Sequence, residues 1–336
     1  MSHIPHSTPW IEDNDIEAVL NVIESGYVGS LSSLEGEISI QIKKFIQKDK
    51  FKIVSSGTMA IYLILKFIKN KYSGKEVVMS SINCWSVYNS IVQNDLRPIV
   101  CDVRSSFDFR SNFENFEKSI TSETVAIIVT HMYGNLIEQS VIKKIKKKFP
   151  ALIIIEDYAS SFGALYPNKG KVGLFSDYVV ASFASTKAVT GGVGGVVASN
   201  QSFIGDSHIF KNDDKISLNI SLSSLDQALL LSQLKKVDLI LKRKQKVFDF
   251  YKRFSTFYEG EERNGMYRAI TFDCVKKIKK YLKQYDLTLD IRHSVQPNIS
   301  RELELPNSNS NEFRWYYSLP LNKDIYEALL HNGEIG

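Results

Sequence analysis

The sequence of 336 residues has only three cysteines and no long apolar run. Cys84, Cys101 and Cys274 are far apart and form no CxxC pair, which argues against a disulfide framework or a zinc site and predicts a cytoplasmic protein without a bound metal. The most apolar stretches, residues 125–129 and 151–155, have the length of strands, so no membrane segment is expected. The first residues lack a basic segment followed by an apolar one, so no secretory signal is expected.

The sequence also lacks a large excess of charge of one sign. It has 42 Lys and Arg and 37 Asp and Glu, which gives a net charge of +5. The basic residues collect at 143–148 and 276–283, where apolar residues recur at helical spacing. This pattern favours solvated helix faces over a nucleic-acid-binding patch. The hydrophobic fraction of 43% and the charged fraction of 24% are those of folded globular domains. We therefore expect a globular protein that binds neither nucleic acid nor membrane.

Short β-branched runs alternate with segments of helical period over the first two hundred residues. The predicted strands are residues 52–55, 76–80, 98–103, 125–131, 152–156, 178–183 and 195–198. The predicted helices of this part are residues 10–26, 60–70, 86–93 and 137–148, and Gly26 ends the first of them. Because strands separated by helices need crossover connections, the pattern predicts an α/β fold with a mostly parallel sheet covered on both faces.

The composition changes after Asn200, where a polar linker is followed by a helical stretch from Leu225 to about Tyr258. The remainder mixes helical segments with short strands. We predict that residues 1–215 form an N-terminal arm and a large α/β domain. Residues 216–336 are then a long connecting helix and a smaller C-terminal α+β domain.

In open parallel sheets ligands bind at the carboxyl ends of the strands, so the residues there are the candidates for a site. The first strand ends in Ser55-Ser56-Gly57-Thr58, and the helix that follows opens with Met59. Free N–H groups at a helix N-terminus suit a phosphate, although the same residues also make an ordinary helix cap. Trp85 follows the second strand and belongs either to a ligand site or to the core.

Two later strand ends carry charged side chains. Asp157 follows an apolar strand, and a carboxylate there is costly unless it is paired with a cation or hydrogen bonded. Lys187 ends the run SFASTK and precedes a glycine-rich turn, as an amine that reacts with an aldehyde requires. A phosphate cradle, an aromatic ring, a carboxylate and an amine together meet the requirements of pyridoxal 5'-phosphate (PLP).

These motifs resemble those of the DegT/DnrJ/EryC1/StrS family of PLP-dependent sugar aminotransferases. The resemblance covers nearly the whole chain, through SSGTMA, THMYG, IEDYASSFGA, SFASTK, GGVGG, LDQALLLSQLKKVD and YSLPL. It implies the type I fold of PLP enzymes, in which a three-layer domain with a mostly parallel sheet binds PLP and a smaller α+β domain follows.

The resemblance also implies a role for each matching residue. Lys187 would bond to the cofactor aldehyde and then move the substrate proton, Asp157 would keep the ring nitrogen protonated, and Trp85 would stack on the ring. The implied cofactor-binding set further includes Gly57, Thr58, Met59, Ser160, Ser182 and, from the partner subunit of a homodimer, Asn219. Arg292 is a candidate for binding a substrate carboxylate or phosphate and is equally consistent with a surface arginine.

The resemblance predicts transfer of the amino group of L-glutamate to a keto group of a sugar-like acceptor, such as a nucleotide-linked keto sugar for surface polysaccharide. The intact Lys187 disfavours dehydration, because dehydrating relatives replace this lysine. The family commonly has Gln or Glu in place of Ser160 and often His in place of Phe162. A PLP enzyme for a smaller keto or amino substrate, or a PLP-binding protein without turnover, therefore remains as an alternative. A nicotinamide-dependent dehydrogenase is disfavoured because no GxGxxG follows the first strand.

Overall fold

The computed structural model describes residues 2–29, 34–105, 107–201, 220–258, 268–293, 299, 303 and 316–336. The strands are β1 (Ser2–Ile4), β2 (Lys50–Val54), β3 (Glu76–Ser80), β4 (Arg97–Cys101), β5 (Thr124–Thr130), β6 (Ile153–Asp157), β7 (Tyr178–Ser182), β8 (Gly195–Ser199), β9 (Arg268–Thr271), β10 (Leu287–Leu289), β11 (Arg292–His293) and β12 (Tyr317–Pro320). The helices are α1 (Asp13–Ser25), α2 (Glu35–Ile42), α3 (Gly57–Lys71), α4 (Trp85–Val92), α5 (Phe113–Ser119), α6 (Gln139–Lys148), α7 (Ser224–Lys235), α8 (Val237–Lys252), α9 (Lys276–Leu282) and α10 (Lys323–His331). Every strand predicted before residue 200 is present, and each observed strand end lies within two residues of the predicted one.

The seven-stranded central sheet has the order β2-β8-β7-β6-β5-β3-β4. From β7 to β4 the strands run parallel, and β8 is antiparallel to both of its neighbours. Successive side chains of a strand face opposite sides of the sheet, so Val179 and Val180 of β7 enter two different apolar clusters. The prediction of a mostly parallel sheet between two helical layers is confirmed.

Helix α1 begins with a capping box formed by Glu12 and Asp15 and ends at Gly26, whose φ of 75° is left-handed. The Asp15 carboxylate is fully buried and accepts hydrogen bonds from Ser232, Gln233 and Lys236 at 2.6 to 2.8 Å. This network holds α1 against α7, as expected for a helix that packs on the main body.

The single helix predicted from Leu225 to about Tyr258 is wrong, because α7 and α8 are separated at Lys236. The backbone of Lys236 has φ −120° and ψ 19°, outside the helical region. Its ammonium is 2.6 Å from the Asp15 carboxylate. A tertiary contact with a residue of α1 therefore accompanies the break.

The C-terminal segment contains the antiparallel sheet β11-β12-β9 and an apolar cluster of its own. The strand β1 pairs in parallel with β10, so Ile4 enters the C-terminal cluster with Phe248 and Leu319. This segment has the α+β character that was predicted, and it includes the first strand of the chain. The predicted boundary between residues 215 and 216 lies outside the described residues. None of the helices described is long and apolar enough to cross a membrane.

Candidate active site

A cavity of about 170 Å³ lies where β7, β6, β5 and β3 end beside the first turn of α3. It is lined by Gly57, Thr58, Ile61, Asn83, Cys84, Ser86, Thr130, Met132, Asp157, Ala159, Ser160, Ser182 and Lys187. Because parallel strands end at one edge of the sheet, segments far apart in the sequence meet there. Of the residues predicted to form a site, Gly57, Thr58, Asp157, Ser160, Ser182 and Lys187 line this cavity.

The first turn of α3 approaches the end of β7 very closely. A Cβ atom on Gly57 would lie 2.8 Å from the Cβ of Ser182, a distance that side chains do not adopt. Ser56 caps the helix by accepting the N–H of Met59 at 3.0 Å. Gly57 and Thr58 are the first residues of the helix, so its positive end faces the cavity. This arrangement fits an anionic group such as a phosphate.

Asp157 is the last residue of β6 and is 5% exposed. Burial raises the pKa of its carboxyl, while the N–H of Ala159, 3.0 Å from Oδ1, and the positive charge of Lys187 act in the opposite direction. A buried carboxylate is stabilised by a cation or a strong donor. The protonated nitrogen of a pyridine ring is such a partner.

Lys187 lies in the turn after β7 and is half-buried. Its backbone N–H donates to the carbonyl of Ala184 at 2.9 Å, which shapes this turn. The lysine and Asp157 line the same cavity from the ends of neighbouring strands. The site thus has an amine and a carboxyl group, as the sequence predicted.

Two largely buried serines lie in the cavity wall. Ser160 is 7% exposed and Ser182 is 8% exposed, and both line the cavity. Serine hydroxyls can donate hydrogen bonds to the acceptor oxygens of a ligand. They fit the phosphate and ring substituents of PLP.

Trp85 is not among the residues that line this cavity, and its stacking on the ring stays a prediction. It is the first residue of α4, and its ring meets Tyr88 edge-on with centroids 5.1 Å apart. The cavity wall is instead formed here by Cys84 and Ser86, whose Sγ and Oγ atoms are 3.0 Å apart. Asn83 Oδ1 accepts the N–H of Cys84 at 2.8 Å at the start of α4.

Other predicted residues also lie outside the cavity lining. Met59 packs half-buried against the apolar core of the sheet. Arg292 is exposed, with Nε 3.4 Å from the carboxylate of Asp290. Phe162 is a core residue between Phe45 and Phe183. Asn219 lies outside the described residues.

Sequence reasoning missed Asn83, Thr130 and Met132 as cavity residues. The Asn83 amide donates to Thr130 Oγ1 at 2.9 Å and so joins the ends of β3 and β5. Each of these residues lies at or just after the end of a predicted strand, and that position was the available signal. In the described part of the chain, no cluster of three His, Cys, Asp or Glu side chains is arranged to hold a metal ion.

A sequence profile described as the DegT/DnrJ/EryC1/StrS aminotransferase family matches residues 9–262. The chain belongs to this family. It is 26% identical to a GDP-perosamine synthase of Vibrio cholerae over 260 residues, which are 74% of this chain and 70% of that protein.

Two of the solved structures that match this chain illustrate its fold. Helicobacter pylori PseC, an aminotransferase involved in the biosynthesis of pseudoaminic acid, has a TM-score of 0.77 at 20% identity, over 97% of this chain and 98% of that one. An E. coli GDP-4-keto-6-deoxy-D-mannose-3-dehydratase with bound hydrated PLP has a TM-score of 0.79 at 17% identity, over 99% of both chains. The predicted family, PLP cofactor and aminotransferase activity are confirmed.

Proposed function

We propose that this aminotransferase is a cytoplasmic homodimer that transfers the amino group of L-glutamate to the keto group of a nucleotide-linked sugar. The observation that supports it best is the cavity that Asp157, Lys187, Ser160 and Ser182 line together beside the positive end of α3. The name of the Vibrio cholerae relative supports a sugar nucleotide as the acceptor. The free thiols of all three cysteines support the location.

When bound, PLP supplies an aldehyde that carries the amino group and a ring that withdraws electrons from the reacting carbon. Lys187 Nζ would hold the cofactor through its aldehyde, and the Lys187 amine would move a proton at the reacting carbon. The Asp157 carboxylate would hold the proton on the ring nitrogen. Gly57, Thr58 and Ser182 would bind the phosphate with N–H and O–H donors.

The dimer follows from the family resemblance, which assigns Asn219 of each subunit to the phosphate of the other. A shared site would close the cavity from the side that the present chain leaves open. Arg292 is the proposed anion-binding residue that the described geometry supports least, because it does not line the cavity.

The test is the absorption spectrum of the purified protein with added PLP, before and after L-glutamate. We expect a visible band of lysine-bound cofactor that disappears with glutamate, and a Lys187→Ala variant that never shows it. Lys171→Ala is the matched control, because Lys171 donates to the carbonyl of Lys43 away from the cavity.

A visible band that does not respond to glutamate would contradict glutamate as donor and favour another donor or a protein without turnover. Absence of any band would contradict the assignment of Lys187. Once glutamate has reacted, a nucleotide-linked 4-keto sugar and a small α-keto acid are offered as acceptors. Faster amination of the α-keto acid would overturn the sugar assignment.

A further inference from the structure

A second cavity, of about 180 Å³, lies at the opposite end of the central sheet from the cofactor cavity. We call it the lysine cavity, and it is lined by Lys43, Ile46, Gln47, Lys48, Asp49, Lys171, Leu174 and Asn200. Strand β2 begins directly after Asp49 and ends just before Gly57 of the cofactor cavity. Its five residues span about 17 Å at the rise of an extended chain, so the two cavities are separate sites.

Backbone and side-chain hydrogen bonds hold the walls of the lysine cavity together. The N–H of Val172 donates to the carbonyl of Phe45 at 3.1 Å, and the carbonyl of Val172 accepts the N–H of Gln47 at 2.7 Å. The N–H of Asp49 donates to Asn200 Oδ1 at 3.0 Å, which leaves the amide nitrogen of Asn200 as a donor. The segments before β2, before β7 and after β8 therefore meet in a fixed arrangement.

Lys48 is a buried cation in the wall of the lysine cavity. It is 4% exposed, and its ammonium donates to the carbonyl of Ser176. In the described part of the chain, Nζ has no other hydrogen-bond acceptor and no carboxylate oxygen within 4 Å. Burial lowers the pKa of Lys48, while the charges of Glu156 and Asp177 act in the opposite direction. Because an ammonium has three N–H donors and a buried charge is costly unless it is paired, Lys48 requires an anion.

A second polar group beside Lys48 also has an unused donor. Ser176 is 7% exposed, and its hydroxyl has no hydrogen-bond partner among the residues that the structure describes. Buried polar groups are normally hydrogen bonded. An ammonium and a hydroxyl with unused donors, joined through the Ser176 carbonyl, together indicate a small ligand with acceptor oxygens.

The charges that line the lysine cavity favour a dianion. Three lysines and one aspartate leave an excess of two positive charges. The aspartate, Asp49, lies 2.8 Å from Lys43 Nζ, and Lys171 donates to the carbonyl of Lys43 at 2.8 Å. Lysine ammonium groups commonly bind phosphate as point charges. The tetrahedral oxygens of a phosphate can accept hydrogen bonds from several walls at once, whereas a carboxylate has only two oxygens.

We infer that the lysine cavity binds a phosphate group, as inorganic phosphate or as a phosphate monoester, at a site separate from that of the cofactor phosphate. The Lys48 ammonium donates to the phosphate oxygens, and Asp49 competes with the phosphate for Lys43. The inference does not rest on the amino donor, the acceptor or the dimer of the proposed function.

The experiment adds inorganic phosphate to the full-length protein saturated with PLP, in a chloride buffer of constant ionic strength. Phosphorus NMR follows the added phosphate and the phosphate of bound PLP as separate resonances. We expect saturable binding of inorganic phosphate while the resonance of bound PLP stays unchanged. Absence of binding, or binding only as PLP is displaced, would overturn the inference.

Lys48→Met should weaken phosphate binding by about tenfold or more, because a charge-assisted hydrogen bond is lost. Lys244→Met is the matched control. Lys244 is 5% exposed and also donates to a main-chain carbonyl, but it does not line the lysine cavity. This control should bind phosphate as the native protein does. Equal affinities of the native protein and the Lys48 variant would show that Lys48 has only a structural role.

Asp49→Asn tests the charge in the opposite direction and keeps the inference testable if the Lys48 variant does not fold. Asp49 is exposed, so the fold does not depend on it. Removing its charge frees Lys43 and should tighten phosphate binding by about threefold. Unchanged or weaker binding in this variant would overturn the inference.

Two further probes distinguish the occupants of the lysine cavity. Binding of glycerol 3-phosphate at least as tight as that of inorganic phosphate would assign the site to phosphate monoesters, and weaker binding would assign it to the free ion. Both results support a phosphate site. Tighter binding of glutarate, a dicarboxylate of the same charge, would overturn it. Because binding is measured without turnover, failure of the amino-transfer test leaves each of these results unchanged.

Discussion

His131 and Glu156 form a buried hydrogen-bonded pair directly behind the cavity, with His131 Nε2 3.0 Å from Glu156 Oε2. His131 Nδ1 accepts the backbone N–H of Ile137 at 3.0 Å, so the ring proton resides on Nε2 and is donated to the carboxyl group. The imidazole is therefore neutral, and the contact is a hydrogen bond rather than an ion pair. It joins the end of β5 to the residue that precedes Asp157.

Glu156→Ala should destabilise the protein by about 3 kcal/mol, because it leaves a cavity and a buried Nε2–H without an acceptor. Glu156→Gln keeps an oxygen acceptor for His131 and should stay within about 1 kcal/mol of the native protein. Urea unfolding measures both values. Equal stability of the two variants would contradict a structural role for the hydrogen bond.

Asp157→Asn should lower kcat by about a hundredfold or more, because an amide does not balance the positive charge on the ring nitrogen. The steady-state rate of amino transfer is the measurement, and PLP content is determined in parallel to show that the site is filled. Asp49→Asn is the control, since Asp49 is exposed and pairs with Lys43 at the surface. Native kinetics in the Asp157 variant would refute the assigned position of the ring.

Gly57→Ala should weaken PLP binding by about tenfold or more, because the new Cβ pushes the first turn of α3 away from Ser182 and off the phosphate. The measurement is a titration with PLP followed by the visible band. Gly36→Ala is the matched control, because a Cβ on Gly36 would meet no atom within 4 Å. An unchanged affinity in the Gly57 variant would show that the first turn of α3 does not bind the phosphate.

Trp85→Leu separates packing from cofactor binding. The loss of the edge-on contact with Tyr88 should cost about 1–2 kcal/mol of stability. The affinity for PLP should stay within about twofold of the native value, because Trp85 is not in the cavity wall. A large loss of affinity with little loss of stability would restore Trp85 as the residue that stacks on the ring.

The pKa of Lys244 predicts how the stability of the protein depends on pH. It is buried, donates to the carbonyl of Leu321, and burial assisted by the charge of Arg268 lowers its pKa to about 7 from 10.5. Between these values the unfolded chain binds more protons than the folded one, so this residue makes stability rise with pH from about 7 to about 10.5.

Lys244→Met should remove this contribution. The gain in unfolding free energy between about pH 7 and about pH 9 should be smaller in the variant by about 2 kcal/mol. Urea unfolding at the two pH values is the measurement. The same gain in both proteins would show that Lys244 keeps its ordinary pKa in the fold.

Local signals in the sequence were enough to predict the strands of the central sheet and to identify the main candidate site residues. The alternation of β-branched runs with helical periods located β2 to β8, because strand and helix periodicities are properties of short segments. Asp157 and Lys187 were identifiable because a charged side chain after an apolar strand needs a specific partner. Gly57 and Thr58 were identifiable as the start of an amphipathic helix.

Contacts between segments that are distant in the sequence decided the features that local signals did not predict. The break between α7 and α8 lies at Lys236, whose ammonium contacts Asp15. At the start of α4, the side chain of Asn83 bonds both Thr130 and the N–H of Cys84, and Cys84 rather than Trp85 meets the cavity. The partner of Glu156 is His131, which lies just after the end of β5. Such pairings are absent from any local pattern, because they depend on which strands become neighbours in the folded sheet.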